Sequence, residues 1–172
     1  MPSIIMSGML ALRYAAILAI AVWSGGLLAL GAIVAPAIFD VIALRQVPAG
    51  RVLAGAIFGE AFHRFHFVAY GCGAVLLLSL ITRRVLGPRP RRFAVRFGLA
   101  TLMLAATLYS GLVLTRAIDN IQQQVGANVA IASLDATDAR RVEFGRLHAQ
   151  STLIQLVPLL GGVLLVFWEL CD

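Results

Sequence analysis

Tyr14–Phe39 reads YAAILAIAVWSGGLLALGAIVAPAIF, 26 residues without a formal charge. As a helix it is ~39 Å long at ~1.5 Å per residue, more than the roughly 30 Å hydrocarbon core of a bilayer. Three further runs have the same character: Phe65–Thr82, Phe97–Thr115 and Leu147–Trp168. A soluble chain of 172 residues could not bury so much continuous apolar surface. The runs are also too long, and too uniformly apolar, for the short alternating strands of an outer-membrane barrel. The expected fold is an all-α integral membrane four-helix bundle, one domain over 1–172, with spans at about 13–39, 61–82, 93–116 and 146–168.

Composition agrees with this reading. Hydrophobic residues make up 60% of the chain and mean hydropathy is +0.92. Four spans leave no room for a separate soluble domain of ordinary size. All 14 basic residues are Arg, and the net charge is +6. Their placement argues against nucleic acid as a partner. Arg83, Arg84, Arg89, Arg91, Arg92 and Arg96 crowd into the short connection between the second and third spans, as expected of a cytoplasmic loop. Seven Arg fall on each side of the membrane, so density carries the orientation rather than the count. Both termini are then cytoplasmic, and Asp40–Arg64 and Arg116–Arg146 face outward. The expected location is the inner membrane.

Ala35-Pro36-Ala37 resembles a cleavage site, but the apolar run before it exceeds a signal peptide's core, so the first span is expected to be an uncleaved anchor. Gly25, Ala29, Ala32 and Pro36 recur at helical spacing and offer a face for close helix approach. Such faces leave a second copy or another membrane protein open as partners beside the lipid bilayer. Pro36 should kink or end the first helix. Pro48 can open the next one, with Arg51–Phe62 helical and Gly55 and Gly59 on one face. After the third span, Thr115–Val125 keeps the helical period. Asn128–Ser133 reads as a turn, and Ser133 or Asp135 can cap a helix running into the last span. These helical extensions are expected on the outer side. Cys72 and Cys171 lie at different depths and match no disulfide or zinc pattern.

Ionisable residues within or beside a membrane span are candidates for function. The chain has three histidines, His63, His66 and His148. The inferred topology places all of them at the outer ends of spans two and four. Glu60 is three residues before His63 and four before Arg64, and Tyr70 is one turn beyond His66. On span four, Arg141, His148, Thr152 and Gln155 follow a/d spacing with Ser151 beside them, and Gln155 lies ~10 Å deeper than His148 at ~1.5 Å per residue. Tyr109 and Arg116 on span three are near the same level. A polar stripe of this kind should face the bundle interior.

The candidate ligand-binding set is therefore His66, His148, Ser151, Gln155, Tyr109, Glu60 and Arg64. Candidate metal or haem ligands are His63, His66 and His148. The same residues also suit interfacial anchoring and interhelical hydrogen bonding, which need no ligand. Imidazoles on two helices suit a transition metal or haem b, and with Glu60 and Tyr109 they suit proton transfer. Ser151 has no acid or oxyanion donors to make it a nucleophile. The cofactor remains open between haem b, a transition metal and none. Three functions remain open as well: a small-ligand or transport-accessory protein, a haem b oxidoreductase, and a structural or accessory subunit. No motif decides whether the chain is an enzyme.

Trp23-Ser-Gly-Gly, Ala35-Pro-Ala-Ile-Phe39, the Ala49–Phe58 segment and Phe144-Gly-Arg-Leu-His148-Ala-Gln-Ser151 resemble the transmembrane protein 205-like domain family over roughly Arg13–Trp168. Ala149 stands where Gly is common in that family, and Gln155 where Asn is common. The resemblance implies a distant relation to copper-resistance protein D-like proteins and to a small haem-containing protoporphyrinogen oxidase. Both imply a histidine-bearing four-helix bundle, and neither transfers an activity.

The orientation has a direct test. In a cysteine-free background, Pro88→Cys should resist membrane-impermeant thiol reagents in cells with a permeabilised outer envelope, whereas Asn128→Cys should react. The opposite labelling pattern would invert the topology.

Overall fold

A computed structural model describes residues 2–87, 91–126 and 129–171. Its elements are α1 (Pro2–Ala29), a π-helical turn at Leu30–Val34, α2 (Ala35–Leu44), α3 (Gly50–Leu86), α4 (Phe93–Tyr109), a second π turn at Ser110–Leu114, α5 (Thr115–Val125), a 3₁₀ turn at Ile131–Ser133 and α6 (Ala139–Leu170). No strand occurs among the described residues. Four helical stretches are long and apolar enough to cross a membrane: Met6–Leu44, Gly50–Leu86, Phe93–Val125 and Ala139–Leu170. The chain is a multi-pass membrane protein of four helices, each longer than the apolar run that announces it.

The helices run up, down, up and down. α1 packs on α3 and α6, and α4 packs on the same two, closing a four-membered ring. Trp23 is fully buried at its centre, with Ile20, Ala69, Leu76, Leu80, Met103 and Leu165 around it. A β-carbon on Gly162 would collide with the Ser24 hydroxyl, which donates at 3.1 Å to the Pro158 carbonyl. Because lipid is as apolar as a leucine core, close backbone approach of this kind has to hold membrane helices together.

Three local expectations need correction or refinement. The first helix does not end at Pro36. Proline has no N–H to offer the Ala32 carbonyl, and the chain answers with a π turn, in which the Ala35 N–H reaches back to the Leu30 carbonyl. Helix then continues to Leu44. The cap of α6 is Asp138, not Ser133 or Asp135. The Asp135 carboxylate already accepts from the Thr137 N–H (2.8 Å) and hydroxyl (2.6 Å), and the Ser133 hydroxyl donates to Ala130 (2.6 Å). Asp138, with extended ψ, accepts from the Arg140 N–H at 2.8 Å. The expected turn at Asn128–Ser133 falls partly outside the described residues, and its Ile131–Ser133 portion is the 3₁₀ turn. As expected, the segment after Pro48 is helical; it is part of one helix, Gly50–Leu86, that includes the second span.

The feature that the sequence did not announce lies where α6 ends. Glu169, on the last turn of α6, is 2% exposed, and every other spanning helix sends it an arginine. Arg83 of α3 places Nη1 2.9 Å from both carboxylate oxygens. Arg96 of α4 donates at 3.1 Å to Oε1, and also at 2.7 Å to the Trp168 carbonyl. Arg13 of α1 lies 3.6 Å from Oε2 and donates to the Glu169 carbonyl. Arg96 and Arg83 are 2% and 8% exposed. The dense arginines between spans two and three are thus not simply a solvated basic loop: two of them are inside the bundle.

Removing one member of a buried ion pair typically costs about 3–5 kcal/mol, against about 0–1 kcal/mol for an exposed pair. Glu169→Ala should therefore lower the unfolding midpoint in detergent far more than Glu60→Ala, whose pair with Arg64 is exposed. Equal shifts would remove the cluster from its structural role. The α6 cap has its own pH signature. Hydrogen bonds from Arg140 hold the Asp138 carboxyl down at about 2, from an ordinary 3.8. A depressed carboxylate stabilises above its unfolded value and loses that contribution as pH falls from about 4 through about 2. The protection factor of the Arg140 amide, its intrinsic exchange rate divided by the observed one, should stay high at pH 4.5 and fall towards pH 2.

Candidate functional site

At the end of the bundle opposite Glu169, the helices part around a cavity of about 910 Å³. Its walls come from the α1–α2 junction, the start of α3, α5 and the first half of α6. Glu60 and His63 enter from α3; His148, Ser151, Thr152 and Gln155 enter from α6. From the sequence, these residues are expected at the outer ends of the same two spans, with Gln155 the deepest. α5 adds Thr115, Asp119 and Gln122, which the sequence reading did not select. Their i, i+4, i+7 spacing marks one helix face and would have identified them.

Both π turns adjoin this cavity. The first brings Leu30 and Gly31 to the wall, followed by Ala35. In the second, the Thr115 N–H bonds back to the Ser110 carbonyl, and the Thr115 hydroxyl donates to the same oxygen at 3.0 Å. The extra residue in the turn turns Ser110 inward, fully buried, where its hydroxyl accepts from Gln155 Nε2 at 2.8 Å. Gln155 Oε1 is buried without a protein partner. π turns carry a geometric cost and gather at functional sites.

The three histidines separate. His63 and His148 line the cavity, and His148 stacks on Phe144 with ring planes 7° apart. His66, 3% exposed, is not part of the lining. Its Nδ1 donates to the Phe62 carbonyl at 2.9 Å, and its Nε2 is buried with no hydrogen-bond partner. The ring packs against the α4 side at Gly111, where an added β-carbon would come 2.7 Å from His66 Cδ2 and strike the Tyr70 hydroxyl. Absence of a side chain at Gly111 is what lets the His66–Tyr70 pair fit. Arg64 and Tyr109 are likewise absent from the cavity wall: Arg64 turns back to Glu60 at 2.7 Å, and Tyr109 is 42% exposed.

Among the described residues, no three His, Cys, Asp or Glu side chains converge as a metal site would require. The arrangement does not favour haem either. The buried imidazole is wedged beneath Gly111, and the two cavity imidazoles are exposed side chains without the closed apolar slot that surrounds an axial ligand. What the cavity does offer is a large partly apolar volume with hydroxyl, amide, imidazole and carboxylate groups from three helices, the ordinary composition of a small-molecule site.

No curated protein matches the chain, and no solved structure does. The model of one family, described as a domain of unknown function (DUF4149), matches residues 18–127. That match takes in both π turns, the Trp23 core and the α2, α3 and α5 walls of the cavity. Covering more than half of the sequence, it shows that the chain belongs to the DUF4149 family.

Proposed function

We propose that this chain is an inner-membrane protein that holds a small ligand in the cavity bounded by α3, α5 and α6. In this reading the cavity lies in the outer half of the bilayer, and the Glu169 end faces the cytoplasm with both termini. His63, His148, Ser151, Gln155 and Glu60 are the contacts carried forward from the sequence; Asp119 and Gln122 join them. The convergence of these polar groups on one cavity is the observation that carries the reading. Polar groups within spanning helices cost free energy unless they pair or serve a ligand. Asp119 and His148 have neither an ion pair nor a side-chain hydrogen bond among the described residues. The resemblance of Trp23–Phe39 and Phe144–Ser151 to the transmembrane protein 205-like domain belongs to this proposal and agrees with a histidine-bearing bundle.

A thermal-shift screen of the purified protein against amphipathic small molecules tests the reading. Ligand at about 100 times its Kd stabilises the folded state by about 2.7 kcal/mol, a shift readily measured. Hits should lose about tenfold in affinity, about 1.4 kcal/mol, when His148→Ala or Gln155→Ala removes a wall contact, and should be insensitive to Tyr109→Phe. A screen without hits, or hits indifferent to both wall variants, would return the protein to a purely structural role.

A further inference from the structure

The chemistry of the cavity wall goes beyond binding in general. Among the described residues two carboxylates line it, Glu60 and Asp119, and no arginine does. This is unexpected in a chain with 14 Arg and 8 acids. Arg64 pairs with Glu60 at 2.7 Å and offsets that carboxylate, while Arg140 turns to Asp138 at 2.7 Å, Arg141 to the Leu134 carbonyl at 2.6 Å and Arg146 to Glu143 at 2.7 Å. Arg116 and Asp119 are three residues apart on α5, yet only Asp119 reaches the wall. Asp119 has no ion pair among the described residues.

The apolar part of the wall is equally specific. Phe39, Phe58, Phe62 and Phe144 supply four aromatic rings. Aromatic faces attract cations and do not attract anions. On α6 the wall runs from Phe144 and His148 down to Leu156 and Leu159, so the polar groups sit towards the bundle end and aliphatic groups lie deeper. Leu159 is ~16 Å below His148 at ~1.5 Å per residue.

We infer that the cavity takes an amphipathic organic cation, with its charged centre near Asp119 and its apolar substituents against the phenylalanines and the deeper leucines. The inference rests on the cavity reading above and assigns the sign and class of its ligand. The Asp119 carboxylate, which has no ion pair among the described residues, sets the preference for positive charge, and the aromatic walls let that charge enter a membrane bundle without a full hydration shell. An amphipathic cation partitions from water into the bilayer surface and can reach a cavity open between helices.

The decisive comparison uses tetraphenylphosphonium and tetraphenylborate, which have nearly the same size and shape and opposite charge. Binding is measured by equilibrium dialysis to the full chain in phosphatidylcholine nanodiscs, with empty discs subtracted. Phosphonium should bind saturably at about one per chain and at least about tenfold more tightly than borate. Asp119→Asn should weaken phosphonium about tenfold, whereas Asp40→Asn, at the same end but absent from the wall, should leave it unchanged. Asp119 is exposed on α5, so its variant should keep the helical signature of the parent. Borate binding as tight as phosphonium, and lost in His148→Ala, would overturn the assigned charge while leaving the cavity reading intact. Absence of saturable phosphonium binding, or binding indifferent to Asp119→Asn, would overturn the inference, and the thermal-shift screen would judge the cavity separately.

Discussion

Glu169 is one carboxylate held by three guanidiniums, and each guanidinium arrives from a different spanning helix. This contact sets the geometry of the whole bundle. An ionised carboxylate cannot be buried without partners, so wherever Glu169 goes, Arg13, Arg83 and Arg96 must meet it. The four helices are thereby brought to one register at that end. Hydrophobicity alone would not specify this, because in lipid an apolar helix face gains little by meeting another. The distances of 2.9–3.1 Å from Arg83 and Arg96 are within hydrogen-bond range, so the ion pairs are also directed contacts.

Away from this cluster the helices are held by surface relief. Ser24 fits the space that Gly162 leaves open, Trp23 lies against Gly73, and the His66–Tyr70 pair lies against Gly111. The same economy explains the two π turns. Pro36 forces the first by withholding an N–H, while the Thr115 hydroxyl, bonded to the Ser110 carbonyl, accompanies the second. The first turn supplies Leu30 and Gly31 to the cavity wall and the second precedes Thr115 on it, and neither interrupts its spanning helix.

The architecture was legible because span length and apolarity are one-dimensional properties. Helix through Arg51–Phe62 and beyond Thr115 could be read from periodicity, and so could the stripe of His148, Ser151 and Gln155 descending from the same end as His63. Direction around a helix axis was less legible. His63 and His66 are three residues apart and close in angle, and the ligand-binding set drawn from the sequence included His66, yet the cavity is lined by His63 while His66 packs under Gly111. Asp119 and Gln122 escaped notice because they follow the third apolar run and read as a polar extension. The Glu169 cluster was hidden by a sufficient simpler account: arginines flanking spans are expected on electrostatic grounds, and that expectation gives no reason to seek a carboxylate 73 residues beyond Arg96. An acid embedded in Phe167-Trp168-Glu169-Leu170 was the available signal.

The two ends of the bundle are fastened by different means. At one end a single carboxylate gathers all four helices through directed ion pairs. At the cavity end the helices meet through the apolar contacts of Leu114, Ile121, Ile131 and Leu147 and the hydrogen bond from Gln155 to Ser110. Loss of that one charge at the first end therefore releases three helices from the fourth together, whereas loss of one contact at the second end stays local.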